Sequence, residues 1–140
     1  MKGKNYALLE WKDTYSVNIA VIDKQHKHLI DIINRLHSAI LSGKANDALT
    51  DILTDLVYYT IYHFDTEEKF FDEHDYPQSE QHKNEHNDLV QKVAALQQKQ
   101  DNGEKVLSLE VMTFLQNWLQ DHILGSDLEY APYLKSKGVH

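Results

Sequence analysis

The residues that decide the fold are His63-Phe64-Asp65-Thr66-Glu67 and, after a break at Asp75-Tyr76-Pro77, His82-Lys83-Asn84-Glu85-His86. Each string sets two potential metal ligands four residues apart, a spacing that projects both from one side of a helix. Upstream of His63, the residues Leu49, Ile52, Leu56 and Tyr59 lie on the same helical face, and Phe70 continues it. This predicts a helix over 46–73, with Asn46 or Asp47 as its cap. Downstream, His82, His86, Leu89, Val93 and Leu96 share a face, predicting a helix over 79–100 capped by Ser79. A helix over 21–41 carries Ile22, His26, Leu29, Ile33, Leu36 and Ile40, and Ser42-Gly43 stops it. A helix over 104–124 carries Leu107, Val111, Leu115, Trp118 and His122, with Gly125 as its expected end. An arm over 1–20, anchored by Trp11 and Tyr15, precedes the helices. A segment over 125–140 with Asp127, Tyr130, Pro132 and Tyr133 follows them. Four helices with short connections predict an all-α, antiparallel up-down-up-down bundle, with residues 1–140 as a single domain.

In such a bundle the start of one helix lies beside the end of the next. His26 sits near the start of the first helix, and His63 and Glu67 near the end of the second. His82 and His86 open the third. His122 closes the fourth, with Asp127 just beyond. All seven polar groups therefore fall on the inner face at one end. One buried polar group can be satisfied by a backbone carbonyl, but seven at one level need a common partner, which a metal centre provides. Five imidazoles, two bridging carboxylates and a bridging hydroxide would fill about eleven of the roughly 12 positions of two octahedral ions, leaving one open. A structural zinc site needs only four ligands. No Glu-x-x-His pair occurs, which argues against the carboxylate-rich ferritin-like pattern. His28, His37, His74 and His140 fall outside this set and read as surface residues.

The composition narrows the field. The chain has 140 residues and a formal charge of −8, from 14 basic and 22 acidic side chains. No basic face is available to neutralise phosphates, which excludes a nucleic-acid partner. No apolar run approaches the roughly 20 residues of a membrane span. The basic N-terminus lacks the apolar stretch of a secretory signal, so a cytoplasmic protein is expected. Nine histidines accompany no cysteine, which removes disulfides, thiolate zinc sites and Fe–S clusters.

The ordered strings Ile22-Asp23-Lys24-Gln25-His26, His63-Phe64-Asp65-Thr66-Glu67-Glu68, Tyr76-Pro77, His82-x-x-x-His86, Trp118, His122-Ile123 and Asp127 resemble those of the hemerythrin family, in particular its single-domain bacterial members. The likeness runs from Trp11 to about Tyr133. It implies a non-haem, oxo- or hydroxo-bridged centre of two iron ions that binds O₂ reversibly, for carriage, storage or sensing. By position, His82, His86 and His122 correspond to the ligands of the saturated iron. His26 and His63 correspond to those of the iron with the vacancy, and Glu67 and Asp127 to the bridges. Ile22, Phe64, Trp118 and Leu119 are candidates for the apolar wall around the ligand, with Leu29 and Leu89 nearby. Nitric oxide, peroxide and azide-like anions are further small ligands of such a centre. The sequence names no protein partner. Phe71 stands where relatives often carry methionine, Asn18 where glycine is frequent, and His74-Asp75 where an aromatic residue and a glycine are common.

The expected role is that of a binding protein rather than an enzyme. Two other roles fit the same centre: a di-iron enzyme acting on peroxide or nitric oxide, and an iron-holding or interaction module.

Overall fold

The computed structural model describes residues 9–104, 106 and 108–140. The first eight residues of the expected arm, and Leu107 of the fourth helix, lie outside them. A 3₁₀ turn at Asp13–Tyr15 leads into α1 (Ala20–Leu41), α2 (Ala45–Glu73), α3 (Ser79–Asp101) and α4 (Ser108–Asp121). A π-helical turn (His122–Asp127) then joins α4 to α5 (Leu128–Ser136). Among the described residues there is no strand. α1 packs on α2 and α4, and α2 packs on α3, giving the antiparallel four-helix bundle. At about 1.5 Å per residue, the 22, 29 and 23 residues of α1, α2 and α3 make rods of roughly 33–44 Å.

The helix ends differ from the sequence expectation in instructive ways. α1 does stop at Ser42-Gly43, where Gly43 takes φ 72, a left-handed conformation that glycine adopts without steric cost. α2, however, starts at Ala45, and neither Asn46 nor Asp47 caps it. The flanking residue is Lys44, without a side-chain cap. Ser79 is the first residue of α3 rather than its cap. Glu104 and Val106, expected in the fourth helix, are not helical, and α4 is described from Ser108. Gly125 does not end the fourth helix. It lies inside the π turn and outside the positive-φ region, and the chain stays helical to Ser136. Glycine weakens a helix without terminating it unless it takes the left-handed cap conformation.

Two apolar clusters bracket one end of the bundle. The larger includes Leu29, Ile33, Leu36, Leu49, Leu53, Leu56, Phe64, Leu89, Val93, Val111, Leu115 and Leu119. Trp11 packs against it half-buried and meets the buried Tyr15 edge-on at 5.8 Å, so both anchors of the arm are in place. The smaller cluster holds Val17, Ile19, Ile22, Phe71, Tyr76, Tyr130, Ala131 and Leu134. α1 and α2 run through both, as in Ile22–His26–Leu29 on α1 and Phe64–Glu67–Phe71 on α2. The polar residues therefore occupy the layer between the clusters.

Asn18 and Asp75 are the two described non-glycine residues with positive φ, at 59 and 54. Both are positions at which the family resemblance implies glycine. Asparagine and aspartate tolerate this region better than other side chains, so the two departures keep the backbone shape. Asn18→Val is expected to lower the unfolding free energy in urea by about 1–2 kcal/mol, and Asn18→Gly to change it by less than about 0.5 kcal/mol. Equal effects would contradict the conformational account.

Candidate metal centre

His26 points inward from the second turn of α1, and His63 and Glu67 from the last third of α2. His82 and His86 do so from the first two turns of α3, and His122 and Asp127 from the two ends of the π turn. His26, His63, Glu67 and Asp127 are fully buried, and His82, His86 and His122 nearly so. The spacing of His122 and Asp127 is the unusual one. In an α-helix five residues advance by about 500°, leaving the two side chains roughly 140° apart. The wider π turn, closed by i→i+5 bonds, brings them back to one face. Asp127 Oδ1 consequently lies 2.9 Å from His122 Nε2.

The seven side chains form two groups whose ligand atoms each lie within 4.8 Å of one another. One is Glu67, His82, His86 and His122. The other is His26, His63, Glu67 and Asp127. Glu67 belongs to both, with Oε1 at 3.0 Å from His86 Nε2 and 3.5 Å from His63 Nε2. Asp127 also spans them, with Oδ2 at 2.8 Å from His26 Nε2 and Oδ1 at 3.0 Å from His82 Nε2. Despite these short separations, none is a hydrogen bond. The Nε2 atoms of all five histidines, Glu67 Oε1 and both Asp127 oxygens are buried without a hydrogen-bond partner. Buried polar atoms are seldom left so. Eight of them facing one space are a donor set of neutral nitrogens and anionic oxygens, which suits cations bridged by carboxylates.

Two of the outward ring nitrogens are hydrogen-bonded to a second layer that the sequence reading missed. His63 Nδ1 meets Gln25 Oε1 at 2.7 Å, and His86 Nδ1 meets Glu68 Oε2 at 2.9 Å. His122 Nδ1 lies 3.6 Å from Glu85 Oε1, which also accepts from the Ser126 hydroxyl. The Tyr130 hydroxyl donates to Glu67 Oε2. The available signal was position. Gln25 follows Ile22 by three residues, Glu85 follows His82 by three and Tyr130 follows Asp127 by three, so each borders the inner face.

Without metal, the cage sorts its protons. Burial pushes His63 down to about 3. For His82, burial acts downward but the carboxylates of Asp127 and Glu67 outweigh it, raising it to about 9. His122 is raised well above its ordinary value, burial again being outweighed, chiefly by Asp127. Burial alone would raise both carboxylates, but His63, with His122, His82 and His86, holds Glu67 well below its usual range, and His122, with His26, holds Asp127 below its own. Protons on His82 and His122 thus stand in for the positive charge that two buried carboxylates require. Burial, with Glu67 and Asp127, raises Tyr130 far above an ordinary phenol, which keeps it a donor to Glu67.

The four apolar candidates divide between the clusters instead of gathering in one place. Phe64 stacks on His86 with ring centroids 3.7 Å apart and planes at 4°, and Trp118 stacks on His122 at 4.4 Å and 14°. Leu119 is buried in the same larger cluster, whereas Ile22 belongs to the smaller. Of the histidines outside the cage, His28 and His140 are exposed, as expected, but His37 and His74 are half-buried. His28 lies flat on Tyr59 at 4.0 Å.

Residues 17–134 match the sequence profile of the hemerythrin HHE cation-binding domain. The bacteriohemerythrin of Stenotrophomonas maltophilia strain R551-3 is 37% identical over 130 residues, covering 93% of this chain and 84% of its own. That of Methylococcus capsulatus strain Bath is 32% identical over 131 residues, covering 93% and 99%. The crystal structure of a wild-type hemerythrin superposes with a TM-score of 0.85 at 32% identity, over 91% of this chain and 98% of the other. With the profile, the relatives and the bundle in agreement along nearly the whole length, the chain belongs to the hemerythrin family.

Proposed function

We propose that the chain binds O₂ reversibly at a centre of two non-haem iron ions. The observation that carries this reading is the set of eight partnerless atoms in two groups that share Glu67. In it, His82, His86 and His122 would hold one ion and His26 and His63 the other, with Glu67 and Asp127 shared between them. The family membership and the relatives' name, bacteriohemerythrin, support iron and O₂ over other cargo. When bound, the two ions supply the electrons that reversible O₂ binding draws on.

The chain's own residues supply the setting. The two apolar clusters keep bulk water from the layer between them, and exclusion of water protects a reactive centre from side reactions. Phe64 and Trp118 hold the planes of His86 and His122 by stacking. Tyr130 fixes the orientation of Glu67 through its hydroxyl. No helix among the described residues is long and apolar enough to cross a membrane, and the proposed setting is the cytoplasm.

Metal analysis of the purified chain should give two irons per chain. Its absorption should show oxo-bridged ferric bands that bleach on deoxygenation and return with O₂. One zinc and no iron would refute the proposal, and turnover of peroxide or nitric oxide well above free iron would favour an enzyme instead. His122→Ala and Glu67→Ala are expected to lower iron content sharply, whereas His74→Ala leaves it unchanged. Equal loading in all three would contradict the ligand assignment.

The metal-free chain should also show its proton sorting in its stability. His82, raised to about 9, contributes stability that is complete below its ordinary 6.5 and lost as pH rises through about 9. His63, lowered to about 3, contributes stability present above 6.5 and lost as pH falls towards 3. The thermal midpoint of chelator-treated protein is therefore expected to peak near pH 6.5 and to fall on both sides. A profile that stays flat from pH 6.5 to 9 would rule out the charged His82.

A further inference from the structure

An inward Nε2 can bind a cation only if the proton of its neutral imidazole sits on Nδ1. The outer contacts decide this. The partner of His86 Nδ1 is a carboxylate, and a carboxylate only accepts, so the proton on that ring must face outward. His63 is different, because its partner is the amide of Gln25. An amide can offer either an acceptor or a donor. With its NH₂ turned to Nδ1, it would drive the ring proton to Nε2 and block the site.

Thr66 removes that choice. Its hydroxyl has one proton, and donates it to the Tyr62 carbonyl at 3.1 Å. The oxygen can then only accept, and it takes a hydrogen bond from Gln25 Nε2 at 3.1 Å. The amide nitrogen is thereby committed to Thr66, and the amide oxygen, 2.7 Å from Nδ1, is left to accept from His63. Gln25 is 2% exposed and His63 fully buried, so bulk water offers neither another partner.

The second feature is charge. His86 Nδ1 is hydrogen-bonded to the Glu68 carboxylate, and His122 Nδ1, without a hydrogen-bond partner, lies 3.6 Å from the carboxylate of Glu85. His63 faces a neutral amide, and His26 Nδ1 has no hydrogen-bond partner. An anionic partner makes an imidazole a stronger electron donor to its metal, and a neutral one does so less. The two halves of the cage are therefore unequally backed.

Resting on the two-ion reading above, we propose that Gln25 and Thr66 are positioning residues. Thr66 turns the Gln25 amide so that His63 carries its proton on Nδ1, and the neutrality of that amide keeps the His26–His63 half less electron-rich than the carboxylate-backed half.

Three measurements test this on the full chain, with circular dichroism confirming the fold of each variant. In metal-free protein, ¹⁵N–¹H ring correlations should show His63 as the Nδ1–H tautomer. Thr66→Ser should preserve it, and Thr66→Val should shift it towards Nε2–H. An Nε2–H ring in the parent, or no change in Thr66→Val, overturns the lock whatever the metal content. In cobalt(II) titrations the parent should take two ions, and uptake of fewer would refute the two-ion reading while leaving the tautomer result standing. Thr66→Val and Gln25→Ala should weaken one of the two ions by about 10–100-fold and spare the other. Weakening of both, or of neither, counts against the assignment. Finally, Gln25→Glu should keep both cobalt affinities and lower the reduction potential of the iron-loaded protein. An unchanged or higher potential overturns the role of neutrality.

Discussion

Two carboxylates with no solvent contact, Glu67 and Asp127, are the constraint around which the rest of the molecule is arranged. An ion of this size taken out of water carries a penalty of several kcal/mol, which only close counter-charge and hydrogen bonding offset. Five imidazoles converge on these two groups from four helical segments, and no single helix could present them. The bundle is therefore more than a frame carrying a site. Its antiparallel order is what lets the start of α1 and α3 meet the ends of α2 and α4. The apolar clusters on either side then seal the layer.

α2 shows how closely one helix divides its labour. Thr66, Glu67 and Glu68 follow one another, each turned by about 100° from the last. Thr66 reaches Gln25 on α1, Glu67 enters the cage, and Glu68 reaches His86 on α3. Three adjacent residues thus serve the interface with one neighbour, the centre itself and the interface with the other neighbour. Phe64 and Phe71, one turn to either side, belong to the two flanking clusters.

Much of this was legible from residue spacing. The i, i+4 pairs on α2 and α3, read with the antiparallel rule, brought the seven polar residues to one end of the bundle, and the structure gathers them there. The course of the chain after His122 was not legible. An α-helical reading puts residue 127 out of phase with 122, and Gly125 looks like a stop, so the π turn and α5 appeared only in the structure. Nor was the cap of α2 legible, since Asn46 and Asp47 are good capping residues yet the helix starts a residue before them. The outer partners Gln25, Glu68 and Glu85 are polar residues at the margin of an apolar stripe. Pattern alone does not separate such residues from an ordinary solvated edge. Likewise, apolar residues near the site could be named, but not which imidazole each would cover.

The π turn at His122–Asp127 has an evolutionary consequence. A π turn amounts to one extra residue wound into a helix, here within a six-residue segment. Deleting one residue would set His122 and Asp127 at the i, i+4 spacing that His63–Glu67 and His82–His86 already use, about 40° apart on one face of a regular α-helix. Closing the present six residues into a regular α-helix without a deletion would instead turn Asp127 roughly 140° from His122 and rotate Tyr130 and Leu134 out of their cluster. What the centre requires is the shared face, so the extra residue and the π turn should come and go together.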